Sequence, residues 1–223
     1  MRCNGWARKI AKRKCPMYRP SHFDISDPAA LAEIIRRYSF ATVISHDGAA
    51  PFATHMPVLF HPEEGAHGTL VTHMARANPQ WRLFEGGGEV LVIFHGPHAY
   101  ISPSWYKVQP AVPTWNYAVV HAYGKPQIVE DTDKLRSMLW ELVTAFESHR
   151  EEPYGALTDE YIDKLSPGIV GIEIPIARVE GKFKLSQNRT EEDRAGVIGA
   201  LEMATDQTER EVAEMMRSVG GKG

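Results

Sequence analysis

The sequence predicts a mainly β protein, an antiparallel barrel with α-helical decorations. About seven strand-like segments follow one another in hairpin order, and the helical segments between them do not alternate regularly, which favours a barrel over a βαβ fold. The 223 residues contain no internal repeat or low-complexity linker, so we expect one domain. No Gly-x-Gly-x-x-Gly or P-loop lysine motif occurs, which excludes dinucleotide and triphosphate sites of those types.

Capping and turn signals delimit the first predicted elements. Asp27 precedes Pro28, an N-cap followed by proline at the first helical position, and apolar residues then recur at helical spacing. The Asp47-Gly48 pair is a hairpin turn signature between two strand-like runs. The predicted elements are a helix over 28–38, hairpin strands over 40–45 and 51–60, and a third strand over 69–74.

Proline and glycine punctuate the middle of the chain. Asn78-Pro79 repeats the cap-then-proline pattern and predicts a short helix to about residue 84, which the glycine run 86–88 ends. Pro97 and Pro103 indicate a bulge or bend within strand-like sequence. The strands expected here cover 89–94, 98–102 and 114–129.

A continuous apolar stripe predicts a second long helix that lies against the sheet. A short polar helix over 159–165 follows, and the segments 169–174 and 177–185 are expected to form another antiparallel pair. Thr190 is the expected cap of a closing helical segment. The stripe consists of Leu135, Met138, Leu139, Leu142, Val143 and Phe146.

The composition is that of an ordinary folded protein. Apolar residues make up 43% and charged residues 24% of the chain, which excludes wholesale disorder and a membrane bundle. The best apolar run, residues 90–94, has the length of a strand and is far shorter than the roughly 18 residues that a spanning helix needs. We therefore expect no membrane crossing.

Charge is distributed unevenly along the chain. Residues 1–16 hold six of the 25 basic residues and no acid, so this segment carries +6. The remaining 19 basic and 28 acidic side chains give residues 17–223 a formal charge of −9. Because affinity for DNA depends on neutralising phosphates with Lys and Arg, such an acidic body disfavours general DNA binding.

The basic composition of residues 1–16 predicts a disordered tail. A nucleic-acid or membrane-surface arm is the alternative for the tail, which lacks the apolar stretch of a signal peptide. Met17 opens a segment typical of a natural start. Both cysteines lie in the tail, so the rest of the chain has no thiol chemistry, which fits a cytoplasmic location.

Motifs for metal binding and for hydrolysis are absent from the sequence. The His95-x-x-His98 pair straddles Gly-Pro, no His-Glu-x-x-His occurs, and the other histidines have no ligand spacing. Ser102 and Ser104 are not part of a Gly-x-Ser-x-Gly motif, so they are weak nucleophile candidates. We expect no metal site and name no catalytic residue.

Three segments are dense in polar and aromatic side chains. Residues 72–81 join a strand end to a helix start, where His73 and Arg76 form either a phosphate site or a capped helix with a surface arginine. Segments 96–106 and 113–117 supply aromatic and hydroxyl groups that either wall a planar ligand or serve core and interface packing.

Four segments, 73–81, 92–106, 112–117 and 181–189, together resemble the PaiB family, which is described as FMN-binding negative transcriptional regulators. The resemblance covers residues 17–201, which it implies are the folded domain, and it leaves out the basic tail over 1–16 and a C-terminal helical extension over 202–223. It implies an antiparallel, six-stranded split β-barrel like that of pyridoxamine phosphate oxidases and flavin reductases. It also implies a homodimer with flavin at the subunit interface.

The resemblance implies cofactor-binding residues as well. It places FMN phosphate at Thr54, His55, His73, Arg76 and Asn78, the ring along Met56 and Met74, and Trp115, Asn116 and Lys184 of the partner chain around the ring. Relatives often carry two consecutive basic residues where this chain has Ala75-Arg76, so a weaker phosphate clamp is expected.

Three functions follow from these observations. The first is an FMN-binding regulator that responds to a flavin or redox signal and acts on gene expression directly or through a protein partner. The second is a flavin-dependent reductase or oxidase of a small substrate. The third is a haem-binding protein, since split-barrel relatives include haem binders and this chain has 10 histidines. Fold and family name do not by themselves establish the regulatory role. The sequence also shows no helix-turn-helix pattern that would support direct DNA binding.

Overall fold

A computed structural model describes residues 17–148 and 157–220, in which nine strands form one sheet with antiparallel pairing throughout. The strand order is β3-β2-β6-β7-β9-β5-β4, and β1 and β8 both pair with β9. The basic segment 1–16, with both cysteines, lies outside the described residues. The strands are β1 (Asp24–Ile25), β2 (Phe40–His46), β3 (Pro51–Pro57), β4 (Leu59–His61), β5 (Thr69–Ala75), β6 (Val90–Ile101), β7 (Thr114–Gly124), β8 (Gln127–Val129) and β9 (Ile169–Lys184).

Six helices surround the sheet in the described ranges. The first begins as the sequence predicts, because the Asp27 carboxylate accepts hydrogen bonds from the amides of Ala29 and Ala30. The predicted antiparallel, mainly β architecture with inserted helices is thus confirmed, with nine strands rather than about seven. The helices are α1 (Pro28–Arg37), α2 (Arg82–Glu85), α3 (Thr132–Glu147), α4 (Asp159–Leu165), α5 (Glu191–Glu202) and α6 (Gln207–Ser218).

The predicted hairpin is confirmed in β2 and β3. Asp47 accepts hydrogen bonds from the amides of Ala49 and Ala50 at 2.7 Å, and Gly48 takes the positive φ of 98° that this turn requires. The second strand ends at Pro57 rather than near residue 60. The next strand, β4, pairs with β5 and not with β2. The chain therefore passes from one end of the strand order to the other between β3 and β4.

The expectation of separate strands over 89–94 and 98–102 is wrong, because β6 runs through both. Its pairing with β7 shifts register between His95 and His98, which is the bulge that Pro97 indicates. The predicted strand over 114–129 is divided into β7 and β8. A bulge therefore absorbs the proline without ending the strand.

The predicted antiparallel pair over 169–174 and 177–185 is also wrong: β9 is one strand of 16 residues. Its first half pairs with β5 and β8, and its second half pairs with β7 and β1. Pro175 lies at the change of partners, where its missing N–H is tolerated. Gly124 packs there so closely that a Cβ atom would lie 2.3 Å from the Pro175 carbonyl oxygen. The proline marks a change of pairing and not a turn.

The closing helical segment consists of two helices, α5 and α6, joined by residues 203–206. Buried Arg194 of α5 donates hydrogen bonds to the carbonyls of Leu185 (2.7 Å), Met216 (2.5 Å) and Val219 (2.8 Å). These bonds tie both helices to the end of β9. The buried residues of α6, including Met216, belong to the main core of the sheet.

The stripe on α3 is buried over most of its length. Leu135 and Leu139 form a smaller apolar cluster with Ile162 of α4, and the helix also contacts β5 and β8. Phe146, predicted in the same stripe, is 43% exposed and lies beside Leu59 and Phe60 of β4. Among the residues that the structure describes, no helix has the length and apolar character needed to cross a membrane.

Candidate functional site

The residues that the sequence points to fall into two groups on different strands. We call Thr54, His55, His73, Arg76 and Asn78 the β5 group, because His73 lies on β5, Arg76 and Asn78 follow it directly, and Thr54 and His55 lie on β3, which contacts β5. Trp115, Asn116 and Lys184, on β7 and β9, are the β9 group.

Asn78 connects two elements of the β5 group. Its Nδ2 atom donates a hydrogen bond to Thr54 Oγ1 at 3.0 Å, and its Oδ1 atom accepts one from the Gln80 amide at 3.0 Å. The same side chain therefore caps the 3-10 turn Pro79–Trp81 and ties that turn to β3. Thr54 accepts in this bond, so its own hydroxyl hydrogen stays available to a ligand.

Gln80 is a structural residue that the sequence analysis missed. It is fully buried, and its Nε2 atom donates to Val43 O (3.0 Å), Ser45 Oγ (3.2 Å) and Phe52 O (3.2 Å). These acceptors all lie on the β2–β3 hairpin. The motif around Asn78 thus ties the 3-10 turn to the β2–β3 hairpin. The only sequence signal for this role of Gln80 is its position directly after the Asn78-Pro79 cap.

Arg76 is held by the backbone of another segment. Its Nε and Nη2 atoms donate to the carbonyls of Pro167 and Ile169, both at 2.8 Å, and its amide donates to Gly168 O at 2.8 Å. The guanidinium also lies 5.8 Å from the Trp81 ring centroid. A guanidinium has five N–H groups, so its Nη1 group remains for an anion after these bonds are made.

Two histidines of the β5 group have different surroundings. His73 Nδ1 is buried and has no hydrogen-bond partner among the described residues, and burial lowers the pKa of His73. A neutral His73 can donate to or accept from a bound group. His55 lies on the exposed face, where its Nδ1 atom is 2.9 Å from Thr42 Oγ1.

Met56 and Met74 lie in the main core. Each side chain is 4% exposed and packs among the apolar residues beneath the sheet surface. They support the strands that carry Thr54 and His73, and their thioethers face the interior.

Within the β9 group, Asn116 is also an interior residue. Its Nδ2 atom donates to Ser186 Oγ at 2.9 Å and lies 3.4 Å from Met216 Sδ, so it links β7 to the turn after β9 and to α6. Lys184 Nζ donates to Thr114 Oγ1 at 2.5 Å and to the Trp115 carbonyl. Burial, with the positive charges of Lys182 and Arg189, lowers the pKa of Lys184.

Trp115 borders an aromatic groove on the exposed face of the sheet. The indole is 53% exposed, and its ring centroid lies 5.9 Å from that of Tyr100 and 6.2 Å from that of His98. The groove has a volume of about 410 Å³ and follows the β6 bulge. It is lined by His95, Gly96, His98, Trp115, Tyr117, Ala118 and Val119.

One protomer keeps the two groups apart. Thr54 pairs with Val43, which pairs with Val92 of β6, whereas Trp115 pairs with Tyr100 of β6. At about 3.3 Å per residue, the eight positions from Val92 to Tyr100 separate these rows by roughly 25 Å along the strand. The structure therefore brings together Thr54 with Asn78, and Lys184 with Trp115, but it does not bring Thr54 near Trp115.

Metal binding has no geometric support in residues 17–148 and 157–220. No group of three or more His, Cys, Asp or Glu side chains there could hold a metal ion.

Curated sequences and family models give the chain clear relatives. The family described as "Putative FMN-binding domain" matches residues 17–178. "Protease synthase and sporulation protein PAI 2" of Bacillus subtilis is 38% identical over 202 residues, covering 90% of this chain and 96% of that protein. An uncharacterized protein of Emericella nidulans is 35% identical, with 75% of this chain and 82% of that protein covered.

Solved structures share the fold at low sequence identity. The flavocytochrome Anf3 from Azotobacter vinelandii has a TM-score of 0.55 at 17% identity, covering 78% of this chain and 75% of that one. The FAD and heme binding protein from Mycobacterium smegmatis has a TM-score of 0.56 at 16% identity, covering 77% and 78%. With the family match and the B. subtilis relative, these findings show that the chain belongs to the PaiB family of FMN-binding-domain proteins.

Proposed function

We propose that this protein is an FMN-binding split-barrel flavoprotein whose site is assembled from two protomers of a homodimer. The β5 group of one protomer holds the phosphate, and the β9 group of the other borders the flavin ring. The observation that carries this proposal is the separation of roughly 25 Å between groups that the PaiB resemblance assigns to one cofactor. In a homodimer with a two-fold axis, the β5 group of one protomer would meet the β9 group of its partner.

The β5 group fits a phosphate monoester. Such a group is an acceptor with several oxygens, so it needs hydrogen-bond donors and positive charge. Arg76 offers its Nη1 group, Thr54 its hydroxyl hydrogen, and His73 a buried ring nitrogen without a partner in the described chain. One arginine supplies the positive charge here, which supports a clamp weaker than that of relatives with two basic residues.

The aromatic groove fits the flavin ring. Planar aromatic ligands bind where side-chain rings cover their faces and a few polar groups fix their edge. Trp115 and Tyr100 supply exposed rings, and Lys184 supplies a cation held beside the Trp115 backbone. A bound flavin would supply electron-transfer chemistry, while this chain would orient the ring and exclude water from it.

For the biological role we propose a regulator that responds to flavin binding or redox state and acts in the cytoplasm. The support is the PaiB resemblance, together with a thiol-free chain after residue 16. The acidic body favours action through a protein partner over direct contact with DNA. Salt-dependent binding to DNA would contradict that preference.

A flavin-dependent reductase or oxidase is the second candidate. The exposed aromatic groove favours it, since a small substrate needs access to one face of the flavin. Oxidation of NADH or NADPH with repeated flavin turnover would support this candidate. A stoichiometric flavin reduction without turnover would support the regulator.

Visible spectra and flavin titrations test the cofactor. We expect flavin bands in protein purified without added cofactor, or saturable micromolar binding of FMN, with FAD weaker. Arg76→Ala should weaken FMN binding about tenfold, the equivalent of about 1.4 kcal/mol. Arg82→Ala is the matched control, because this exposed arginine stacks on the same Trp81 ring at 5.1 Å and should change affinity less than twofold. A Soret band instead of flavin bands, or no flavin binding at all, would overturn the proposal in favour of haem or of neither cofactor.

A further inference from the structure

A second, smaller pocket lies beside the β9 group and contains two cations. It has a volume of about 120 Å³, enough for one small polar group but not for a whole cofactor. Lys184 and Arg189 supply positive charge to its lining, which includes no carboxylate. The lining residues are Tyr106, Val112, Pro113, Thr114, Asn116, Lys184, Ser186, Asn188 and Arg189.

The two cations lack the ion pairs that other basic residues make. Arg136 pairs with Asp163, and Arg178 pairs with Glu180. In the described part of the chain, neither Lys184 nor Arg189 pairs with a carboxylate. The proximity of the two cations contributes to the lowered pKa of Lys184. An anion between them would relieve this repulsion and offset the cost of burying Lys184.

A constrained turn holds Arg189 in this position. Ser186 has a φ of 62°, a left-handed conformation that is uncommon outside glycine. Gln187 ties the turn back to the end of β9: its Oε1 atom accepts from the Leu185 amide at 2.7 Å, and its Nε2 atom donates to Phe183 O at 2.6 Å. The Arg189 amide donates to Ser186 O at 3.0 Å. Such over-determined strain is typical of a functional position.

Tyr106 adds an unsatisfied polar group to the pocket. The residue is 4% exposed, and its buried hydroxyl has no hydrogen-bond partner among the described residues. The Arg189 guanidinium carbon lies 4.5 Å from the ring centroid of Tyr106, so the ring also supports the cation. Buried hydroxyls are normally paired, and an anionic oxygen would supply the acceptor.

We propose that this pocket binds the oxyanionic group, a carboxylate or a phosphate, of a small ligand other than FMN. Arg189 and Lys184 neutralise the anion, and the Tyr106 hydroxyl donates to it. The inference rests on the proposed function only in placing this ligand beside the flavin ring, through the shared Lys184. The pocket would then select anionic substrates or effectors.

Calorimetric titration with orthophosphate, and separately with acetate, tests the pocket in protein with and without FMN at constant ionic strength. We expect saturable binding of at least one anion. Arg189→Gln should weaken it tenfold or more, and Tyr106→Phe, which keeps the ring under Arg189, should weaken it two- to fivefold. Arg217→Gln is the matched control because this arginine already pairs with Glu202, and it should leave anion binding unchanged.

The two anions and a parallel FMN titration separate the outcomes. Tighter binding of orthophosphate would indicate a phosphate ligand, and tighter binding of acetate a carboxylate. Undiminished FMN affinity in Arg189→Gln, with anion binding lost, would support a subsite separate from the cofactor. Equal loss of FMN affinity would overturn it, since the pocket would then hold part of the flavin. Absence of saturable binding by either anion would also overturn it while leaving the flavin proposal intact.

Discussion

The polar side chains of the β5 group and those beside the β9 group have different surroundings. In the β5 group, Asn78 bonds Thr54 and a backbone amide, and Arg76 bonds two carbonyls, so both side chains hold the local structure. At the other end, Lys184 and Arg189 face a small pocket without a carboxylate. If the β5 group binds phosphate as proposed, a substitution there should change structure and binding together, whereas a substitution in the pocket at the β9 end should change binding alone.

The largest expected effect on stability comes from the residue that supports the β9 end. Arg194→Met removes the donor to the carbonyls of Leu185, Met216 and Val219, of which the first two bonds are buried and the third is partly buried. We expect the free energy of unfolding to fall by about 3 kcal/mol in urea denaturation. Arg210→Met is the control, since exposed Arg210 also donates to two carbonyls, and it should cost under about 1 kcal/mol. Equal losses would show that α5 and α6 do not depend on the buried contact.

A substitution at the β5 end should lower the free energy of unfolding by a smaller amount. Gln80→Met preserves the length of the side chain and leaves three acceptors of the β2–β3 hairpin without their donor. We expect a loss of about 2 kcal/mol in the free energy of unfolding and a weaker affinity for FMN. Gln207→Met, on the exposed start of α6, should change neither. Wild-type FMN affinity in a destabilised Gln80→Met would contradict the coupling of structure and binding at this end.

The pH dependence of stability tests the burial of His73 in the β5 group. Burial lowers the pKa of His73, and that of His121, below the value of about 6.5 expected in the unfolded chain. As the pH falls through that range, the unfolded chain takes up protons that the folded chain does not, so stability is lost on acidification. The urea midpoint should be lower at about pH 5.5 than at about pH 7.5, and His73→Gln should reduce this difference. His67→Gln, in an exposed loop, should leave it as in the wild type.

Local signals predicted the starts of elements well. The Asp27-Pro28 cap, the Asp47-Gly48 turn and the Asn78-Pro79 cap each appear in the structure where the sequence indicates them. In each case the side chain bonds its own neighbouring backbone, so no distant contact is needed. Such features can be derived from a short window of sequence.

Features that depend on contacts between residues far apart in the sequence could not be predicted. Pro175 has the local character of a strand breaker, yet β9 continues through it. The pairing of β9 with β5 stops at Pro175, and its pairing with β7 starts at the next residue. The burial of Asn116 and Gln80 depends likewise on partners 70 and 37 positions away. The motifs identified the candidate residues, but the roughly 25 Å between the two groups follows only from the strand register.

A mixed-variant experiment tests the shared flavin site most directly. Arg76→Ala changes the β5 group and Lys184→Met changes the β9 group. A heterodimer with one variant in each protomer can be purified with two affinity tags. If each site combines the two protomers, one site of this heterodimer carries both changes and the other carries neither. We predict that each homodimer binds FMN weakly and that the heterodimer regains about half of the wild-type binding capacity, at wild-type affinity. Weak binding in the heterodimer as well would contradict assembly of the site from two protomers.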